Sequence, residues 1–329
     1  MNVGIIGAGA IGKKRSLNLG TNVLKAVANT NIEKAHTLAN ANPEIKVFSD
    51  YKKLLNLKEI DIVIVATRHN TLASITLDAI EAKKHVLVEK PVACNSEDIK
   101  KLIVAAKRKN VKVHVGYNQR SHPAIIATKN LINSNTIGDL MYIRGRFGHG
   151  GRVGYDKEWR ADPKISGGGC LIDLGVHLID LSRMFLGDFT NVKGSMHTYF
   201  WNMPVEDNAF IHLETNKGQT AWLQVSCTEW KNMFSFEIYG KYGKILAEGL
   251  GGSYGTEKLT LYKMSPKMEP PETTIWECSF SDSSWNVEFN EFVHAIKNNT
   301  EPECNLHDAL ETMKIVEQIY KINTTRGKT

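Results

Sequence analysis

The chain has 329 residues, with 41 Lys and Arg against 35 Asp and Glu, which gives a formal net charge of +6. With 42% hydrophobic and 23% charged residues, its composition is that of a globular protein and excludes a disordered tail. The mild, scattered positive charge does not suggest a nucleic-acid binder. No stretch approaches the roughly 18 apolar residues of a membrane span, so no membrane partner is expected.

The first 120 residues alternate between short apolar runs and amphipathic stretches. Strands are predicted at 2–6, 23–28, 62–66, 85–88 and 111–115, and helices at 12–20, 32–40, 71–83 and 96–109. Runs that are apolar on both faces are typical of buried parallel strands, and the helices between them provide the crossovers. The pattern predicts an α/β Rossmann domain over residues 1–121, with a doubly wound parallel sheet.

The pattern changes after residue 121, where we predict the domain boundary. Helices are predicted at 124–133, 170–186, 285–297 and 306–321, a glycine-rich loop at 144–154, and strands at 208–215, 219–227, 234–239 and 258–263. Turn signals such as Asn216-Lys217-Gly218 separate these strands at the spacing of hairpins. Residues 122–329 are therefore predicted to form an α+β domain with a large, mostly antiparallel sheet.

A glycine motif, GAGAIG at 7–12, follows the first predicted strand and opens the first helix. In a βαβ unit the first glycine allows the tight turn, the second admits a pyrophosphate, and the third lets helix and strand pack closely. The residues expected to contact a dinucleotide are Gly7, Gly9, Ala10, Ile11 and Gly12. A P-loop is rejected, because Lys14 stands where that motif has a magnesium-binding hydroxyl.

The position that usually separates NAD from NADP carries no acid. The second predicted strand ends at Asn29 and Thr30, whereas a ribose-binding carboxylate is usual there. Asn29 can bind ribose hydroxyls without repelling a 2′-phosphate, and we expect Lys34 and Arg15 close enough to attract one. The cofactor is therefore NAD or NADP, and the sequence leaves that choice open.

Two further strand ends carry polar residues on the edge where open parallel sheets bind ligands. The segment Thr67-Arg68-His69 follows the third apolar run, and we expect it to line the cofactor. The fourth run leads into Glu89-Lys90-Pro91, where the proline fixes the backbone. A lysine at this edge can face both nicotinamide and substrate, whereas a lone lysine beside a turn would simply be solvated.

The segment from Gly167 to Asp180, GGGCLIDLGVHLID, predicts a loop that leads into a buried helix, because the helix is apolar almost all round. Asp173 and His177 are four residues apart and share one face, which Asp180 continues. Burying a carboxylate and an imidazole costs free energy unless they meet each other or a ligand. We interpret them as a general acid/base pair, and the alternative is a self-satisfied pair within the helix.

The cysteines indicate neither a metal site nor secretion. They are far apart and form no CxxC pair or zinc-ligand spacing: Cys94, Cys170, Cys227, Cys278 and Cys304. The first residues contain no basic and hydrophobic leader, so no signal peptide is expected. We therefore expect no metal, reduced thiols and a cytoplasmic location.

Together the motifs resemble the Gfo/Idh/MocA oxidoreductase family. Four motifs occur in the order and spacing typical of that family: GIIGAGAIG at 4–12, EKP at 89–91, GYNQR at 116–120 and GGGxxxDxGxHxxD at 167–180. The resemblance implies a Rossmann domain followed by a substrate-binding domain with a mostly antiparallel sheet. It also implies a homo-oligomer, a dimer or tetramer, held through one face of that sheet.

The resemblance further implies roles for individual residues. The catalytic group would be Lys90, Asp173 and His177. Cofactor contacts would extend to Glu89, Lys90 and Asn118, and substrate contacts would come from Lys90, Tyr117, Arg120, Trp159, Arg160, Asp173 and His177. The chain departs from the family in lacking the ribose acid and in having Thr67-Arg68-His69 where Thr-Pro-Asn is common.

The expected activity is reversible oxidation of a secondary alcohol on a sugar, cyclitol or nucleotide-sugar. His177 would take the hydroxyl proton, Lys90 would stabilise the oxygen, and Asp173 would orient His177. The alternatives are an NADPH-dependent reductase of a sugar ketone or dihydrodiol, and a non-catalytic NAD(P)-binding regulator. The loop with Arg146 and Arg152 is a hypothetical site for the diphosphate of a nucleotide-sugar, and the alternative is a solvated basic loop.

Overall fold

The computed structural model describes residues 1–40, 42–278 and 282–326. The chain divides into two compact units, Met1–Tyr117 with Trp285–Leu310, and Asn118–Ser284 with Glu311–Thr329. The domain boundary at residue 121 stays a prediction, and the compact units differ from it because Trp285–Leu310 belongs to the first unit. Within the described ranges, none of the helices combines the length and apolarity that crossing a membrane requires.

Six parallel strands form the sheet of the first unit: β1 (Asn2–Ile6), β2 (Val23–Ala28), β3 (Lys46–Phe48), β4 (Ile62–Val65), β5 (His85–Glu89) and β6 (Val113–Gly116). Their order is β3-β2-β1-β4-β5-β6, the predicted doubly wound arrangement. Every residue of β4 is buried, as expected for a strand covered on both faces. The strand order reverses between β1 and β4, which places the ligand-binding edge at their carboxyl ends.

Five helices of the first unit follow the strands: α1 (Ala10–Ser16), α2 (Ile32–Ala39), α3 (Tyr51–Leu55), α4 (His69–Glu81) and α5 (Ser96–Lys109). The bounds of α5 match the prediction, and its local signals explain why. Asn95 caps the helix by accepting a hydrogen bond from the Asp98 backbone N–H at 2.9 Å. Basic side chains fill the last turn of α5 and complement its dipole.

A helix from the far end of the sequence completes this unit. It is α9 (Ser284–Asn298), of which all but the first residue belongs to the first unit. Phe289 and Phe292 are buried in one hydrophobic cluster with residues of the parallel sheet, among them Ile62 and Leu87. The amphipathic face of α9 therefore supplies part of the core of the first unit.

Eight strands form the sheet of the second unit: β7 (Leu140–Gly148), β8 (Phe189–His197), β9 (Asn208–Thr215), β10 (Thr220–Ser226), β11 (Met233–Gly240), β12 (Gly243–Glu248), β13 (Glu257–Lys263) and β14 (Glu272–Cys278). Their order is β14-β13-β12-β11-β7-β10-β9-β8. All neighbours are antiparallel except β7 and β10, which run parallel. The predicted α+β architecture is confirmed.

The helices of the second unit are α6 (Pro123–Asn133), α7 (Pro163–Ser166), α8 (Val176–Leu186) and the part of α10 (Leu306–Arg326) that begins at Glu311. A π-helical turn, Leu171–Gly175, leads directly into α8. The segment predicted as one helix over 170–186 is therefore a π turn followed by an α-helix. Such turns occur frequently at functional sites.

The predicted glycine-rich loop at 144–154 is wrong in its first half, because residues up to Gly148 belong to β7. Gly145 is buried within the sheet. A Cβ atom at this position would lie 3.0 Å from Leu223 and 3.2 Å from Phe236. The glycine therefore serves a close approach of packed side chains to the strand, and not the flexibility of a loop.

Candidate functional site

The glycine motif forms the turn between β1 and α1 at the edge where the strand order reverses. Gly7 has φ +104°, and a Cβ atom there would overlap the carbonyl oxygen of Ala66 at the end of β4. A Cβ atom at Gly12 would overlap the carbonyl oxygen of Gly7. At Gly9, by contrast, no atom of the described residues, apart from Gly9 and its chain neighbours, lies within 4 Å of a Cβ position. Close contacts therefore require glycine at residues 7 and 12, whereas Gly9 leaves open space.

The first turn of α1 suits an anionic ligand. In the part of the chain that the structure describes, the turn has no side-chain cap and no acidic residue, and Ala10 and Ile11 begin the helix. Backbone N–H groups at such a terminus bind phosphate oxygens. Together with the open space at Gly9, this geometry fits the pyrophosphate of a dinucleotide.

Asn29, at the end of β2, holds the glycine motif. Its Oδ1 accepts a hydrogen bond from the Ala8 backbone N–H at 3.0 Å, and its Nδ2 donates to the Asn31 carbonyl at 2.8 Å. The side chain is therefore engaged in shaping the loop, in addition to any ribose contact. Thr30 and Lys34 are exposed. The expectation that Arg15 attracts a 2′-phosphate is wrong, because its side chain is 1% exposed and bound to two glutamates.

The segment Thr67-Arg68-His69 connects β4 to α4. The Thr71 hydroxyl donates to the Thr67 hydroxyl at 3.0 Å, Arg68 is exposed, and His69 is buried. Helix α4 begins at His69, two residues before the predicted start. The backbone N–H of Thr67 would lie 3.1 Å from a Cβ atom at Gly7, so this segment is adjacent to the glycine motif, as predicted.

Lys90 directly follows β5. Its side chain is half-buried, and the Lys90–Pro91 peptide bond is cis. Glu89, the preceding residue, is buried and accepts a hydrogen bond from Arg15 Nε at 2.7 Å. Tyr117 follows the neighbouring strand β6 and is buried in the same unit. Lys90 thus lies on the edge of the sheet that carries the glycine motif.

In the second unit, Asn118 and Arg120 both have protein partners. Asn118 Nδ2 donates to the Ser284 hydroxyl at 3.1 Å. Arg120 donates two hydrogen bonds to the Asp180 carboxylate, from Nε at 2.7 Å and from Nη2 at 2.6 Å. Asp180 therefore serves as the counter-ion of Arg120, a role that the sequence did not indicate.

Asp173 lies in the π turn, and His177 in the first turn of α8, both buried. Arg160 Nε donates to Asp173 Oδ2 at 3.1 Å, and its guanidinium lies 4.5 Å from the centre of the Trp159 ring. Burial would lower the pKa of Arg160, but the Asp173 charge raises it above its usual range. The structure thus brings three predicted site residues together: Trp159, Arg160 and Asp173.

His177 lies edge-on to Phe147 of β7, with 5.9 Å between ring centres. Because successive side chains of a strand point to opposite faces, Arg144 and Arg146 lie on the face of β7 away from Phe147. Arg144 binds the Glu237 carboxylate at 2.7 Å. Arg146 therefore lies on the face of β7 opposite His177, and the contact of Arg146 and Arg152 with a nucleotide-sugar diphosphate stays a prediction.

Sequence reasoning missed two buried tyrosines near Asp173. Burial, together with the charges of Cys227 and Asp173, raises the pKa of Tyr155, whose hydroxyl lies 3.3 Å from Cys227 Sγ. Burial and the Asp173 charge raise the pKa of Tyr254 to about 12. Both hydroxyls keep their protons at neutral pH and can donate hydrogen bonds. Isolated tyrosines beside a glycine carry no sequence signal for such a role.

Sequence reasoning also missed Glu206, which holds the start of the Asp173 segment. Its Oε1 accepts hydrogen bonds from the backbone N–H groups of Gly169 and Leu171, each at 3.0 Å, and from the Tyr320 hydroxyl at 2.8 Å. A Cβ atom at Gly169 would overlap the Glu206 carbonyl oxygen. The glycine run therefore allows a close contact with Glu206. Among the described residues, no cluster of three His, Cys, Asp or Glu could hold a metal ion.

Two models of one family match the chain. An oxidoreductase family with an NAD-binding Rossmann fold matches residues 1–117, and the GFO/IDH/MocA C-terminal domain matches residues 125–246. A levoglucosan dehydrogenase of Pseudarthrobacter phenanthrenivorans is 30% identical over 239 residues, which are 66% of this chain and 59% of the relative. The uncharacterized oxidoreductase YrbE of Bacillus subtilis is 26% identical over 326 residues, 95% of this chain and 91% of the relative.

The chain spans about three fifths of the first two curated relatives, 59% of the levoglucosan dehydrogenase and 63% of the oxidoreductase P35 of Formosa agariphila. Solved structures share the fold. A levoglucosan dehydrogenase in complex with NADH has a TM-score of 0.88 at 24% identity, covering 98% of both chains. An NAD binding oxidoreductase from Klebsiella pneumoniae has a TM-score of 0.87 at 21% identity, covering 99% of this chain and 97% of the other.

The fold and the matched models place the chain in an oxidoreductase family whose first domain is an NAD-binding Rossmann fold. The chain belongs to the Gfo/Idh/MocA family, which confirms the resemblance seen in its motifs. Its cofactor is NAD or NADP, and the glycine motif fits the pyrophosphate that both share.

Proposed function

We propose that this protein is an NAD(P)-dependent dehydrogenase that oxidises a secondary alcohol of a sugar, cyclitol or nucleotide-sugar. The observation that carries the proposal is the buried Asp173, bound by Arg160, in the segment that also carries buried His177. Ionisable groups are buried at such a cost mainly where they serve a ligand or a reaction. Relatives named levoglucosan dehydrogenase and inositol 2-dehydrogenase support the substrate class.

In the proposed reaction the catalytic group is Lys90, Asp173 and His177. His177 accepts the proton of the substrate hydroxyl, and Asp173 orients the imidazole while Arg160 fixes the Asp173 carboxylate. Lys90 stabilises the negative charge that develops on the substrate oxygen. The bound nicotinamide supplies the hydride acceptor.

The remaining predicted contacts are part of the same proposal. Residues proposed to hold the cofactor are Gly7, Gly9, Ala10, Ile11, Gly12, Asn29, Thr30, Thr67, Arg68, His69, Glu89, Lys90 and Asn118. Residues proposed to hold the substrate, beyond the catalytic group, are Tyr117, Arg120, Trp159 and Arg160. Arg120 would act together with its counter-ion Asp180, which fixes the guanidinium.

The test is the change in NAD(P)H absorbance on a panel of free sugars, inositols and nucleotide-sugars, with NAD⁺ and NADP⁺ in parallel. His177→Ala is expected to lower kcat by about 100-fold or more on the active substrate. His212→Ala is the matched control, because His212 lies on β9 of the same unit. Equal activity of His177→Ala and the wild type would contradict the proposed role of His177.

A second candidate is the reverse reaction, NADPH-dependent reduction of a sugar ketone or dihydrodiol-type substrate. The observation in its favour is that other relatives are named dTDP-3,4-didehydro-2,6-dideoxy-alpha-D-glucose 3-reductase and trans-1,2-dihydrobenzene-1,2-diol dehydrogenase. Turnover of ketones with NADPH, without turnover of alcohols, would favour this direction. Cofactor binding without any turnover would instead indicate a regulator.

We also propose that the protein is a cytoplasmic homo-oligomer that assembles through the open face of the second sheet. Tyr142 and Trp222 are exposed on that face, and Tyr142 stacks on Tyr239 with 4.2 Å between ring centres. Exposed aromatic patches of this kind often mark interfaces. Light scattering of the wild type and of Trp222→Glu tests this assembly, and a monomeric wild type would contradict it. The five cysteines all lie among the described residues and form no disulfide there, which suits a reducing compartment.

A further inference from the structure

Five buried or half-buried ionisable side chains of the first unit form one network, here called the Arg15 network: Arg15, Glu89, His114, Glu288 and Glu291. Arg15 donates from Nε to Glu89 Oε1 at 2.7 Å and from Nη1 to Glu288 Oε2. His114 lies 3.3 Å from each of the carboxylates of Glu288 and Glu291. The Arg15 side chain is 1% exposed, so the ion pairs are shielded from water.

The network contains three carboxylates and one permanent cation. Burial raises the pKa of Glu89, and Arg15 only partly opposes this. Burial would also raise the pKa of Glu288, but Arg15 and His114 hold it below its usual range. Arg15 is thus the charge on which both carboxylates depend. Removing one partner of a buried pair is costly, because it leaves the other charge without compensation.

Arg15 joins the glycine motif to Lys90. It lies on α1, the helix that the glycine motif opens. Its partner Glu89 is the last residue of β5 and directly precedes Lys90. Its other partner, Glu288, lies on α9. Because a guanidinium is planar and donates in fixed directions, its bonds to Glu89 and Glu288 fix α1, the end of β5 and α9 relative to one another.

The surroundings are shaped for this ion pair. Gly116 of β6 is paired with Glu89 in the sheet, and a Cβ atom there would lie 2.7 Å from Arg15 Nη2 and 3.0 Å from Glu89 Oε2. Any side chain at residue 116 would therefore displace the pair. The Trp285 ring covers the guanidinium, with its centre 4.4 Å from Arg15 Cζ.

We propose that Arg15 is a positioning residue for Lys90. By binding Glu89, Arg15 fixes the backbone beside Lys90. Because Arg15 lies on α1, it fixes that backbone relative to the helix that the glycine motif opens. The inference rests on the proposed catalytic role of Lys90. Its consequence for catalysis is large, because misplacing a catalytic group by about 1 Å costs on the order of 100-fold in rate.

Three variants test the proposal: Arg15→Met, Glu288→Gln and the double variant. Arg15→Met is expected to lower both the thermal stability and kcat, the latter by about 100-fold, with KM changed by less than about threefold. The double variant removes one charge of each sign, so thermal stability should recover in part relative to Arg15→Met. kcat should stay low, because Glu89 still lacks its partner. The conservative Arg15→Lys should restore only part of kcat, because an ammonium cannot reproduce the two-sided contact.

Recovery of kcat together with stability in the double variant would overturn the proposal, since Arg15 would then serve stability alone. Unchanged kcat in Arg15→Met would overturn it as well. Arg108→Met is the matched control: Arg108 lies on α5 of the same unit and pairs with Glu81 at the exposed surface. Arg108→Met should change neither the thermal stability nor kcat.

Two measurements separate this proposal from the proposed function. The fluorescence of bound NADH reports the dissociation constant of the cofactor without turnover, and Arg15→Met should change it by less than about threefold if the glycine motif stays intact. Lys90→Ala reports whether Lys90 is catalytic at all. Full activity of Lys90→Ala would contradict the proposed catalytic role of Lys90. Loss of activity in Lys90→Ala together with full activity of Arg15→Met would contradict only the positioning role of Arg15.

Discussion

Arg120 binds both carboxylate oxygens of Asp180, at 2.7 and 2.6 Å, with Asp180 1% exposed and Arg120 10% exposed. Asp180→Ala would leave the arginine buried without its counter-ion, so we expect it to destabilise the protein by about 3–5 kcal/mol. Urea denaturation measures this change. Glu311→Gln, which removes the partner of the exposed Lys314, is the control and should cost less than about 1 kcal/mol. Equal effects of the two changes would contradict the prediction.

Gly9→Ala and Gly12→Ala should have different effects. Gly9 has φ −80° and open space at its Cβ position, so alanine fits the protein itself but occupies the space proposed for the pyrophosphate. We expect an unchanged melting temperature and NADH affinity weakened by about tenfold or more. Alanine at Gly12 would overlap the Gly7 carbonyl oxygen, so the melting temperature should fall as well. Calorimetry and NADH fluorescence on the same samples separate the two effects.

Asn29→Asp should shift the cofactor preference toward NAD. An aspartate keeps the oxygen that accepts from the Ala8 N–H and loses the donor to the Asn31 carbonyl, but it adds a negative charge that repels a 2′-phosphate. We expect NADPH affinity to fall about tenfold more than NADH affinity, as measured by fluorescence titration of both cofactors. Glu33→Gln, a change of charge on exposed α2, is the control. An equal loss for both cofactors would show that Asn29 acts only through the loop.

His114 makes the stability of the first unit depend on pH. Burial would lower its pKa, but Glu288 and Glu291 raise it above its ordinary value of 6.5, and Arg15 shares the Glu288 carboxylate. The folded state therefore binds this proton more tightly, and the stabilisation is complete below pH 6.5 and lost as the pH rises through the raised pKa. We expect His114→Gln to cost about 1–3 kcal/mol at pH 6 and clearly less at pH 9.

Thermal melts of the wild type and of His114→Gln between pH 5 and 9 test this dependence. The two curves should converge at high pH, because the wild type then also holds an uncharged side chain at residue 114. The exposed His36 on α2 provides the control, and His36→Gln should follow the wild type throughout. A constant difference between the wild type and His114→Gln at all pH values would show that only packing is lost.

The sequence predicted most of the first unit because its signals are local. Continuous apolar runs such as β4 are visible without knowledge of any partner. The glycine motif was predicted from the sequence, and the structure shows that the Ala66 carbonyl at the end of β4 requires Gly7 and the Gly7 carbonyl requires Gly12. The three-residue β3 and the five-residue α3 are too short to show periodicity.

The missed features all depend on contacts between distant residues. Glu206 accepts from Tyr320, which is 114 positions away, and Arg15 binds Glu288, which is 273 positions away. The sequence of an amphipathic helix such as α9 indicates that the helix has an apolar face, but it does not indicate which core that face packs against. The purposes of Gly116 and Gly169 could likewise be identified only after their partners, Arg15 and Glu206, were placed.

The return of Trp285–Leu310 to the first unit has a consequence for how the protein is made. Phe289, Phe292 and Glu288 complete a core and an ion network in which residues before 117, such as Ile62, Leu87 and Arg15, are synthesised earlier. The first unit therefore cannot complete its core until about 170 further residues have been synthesised. During that time its apolar sheet is incompletely covered and needs protection from aggregation. For the same reason, a fragment cut at residue 121 would leave Arg15 without one of its carboxylates and is a poor choice for studying cofactor binding in isolation.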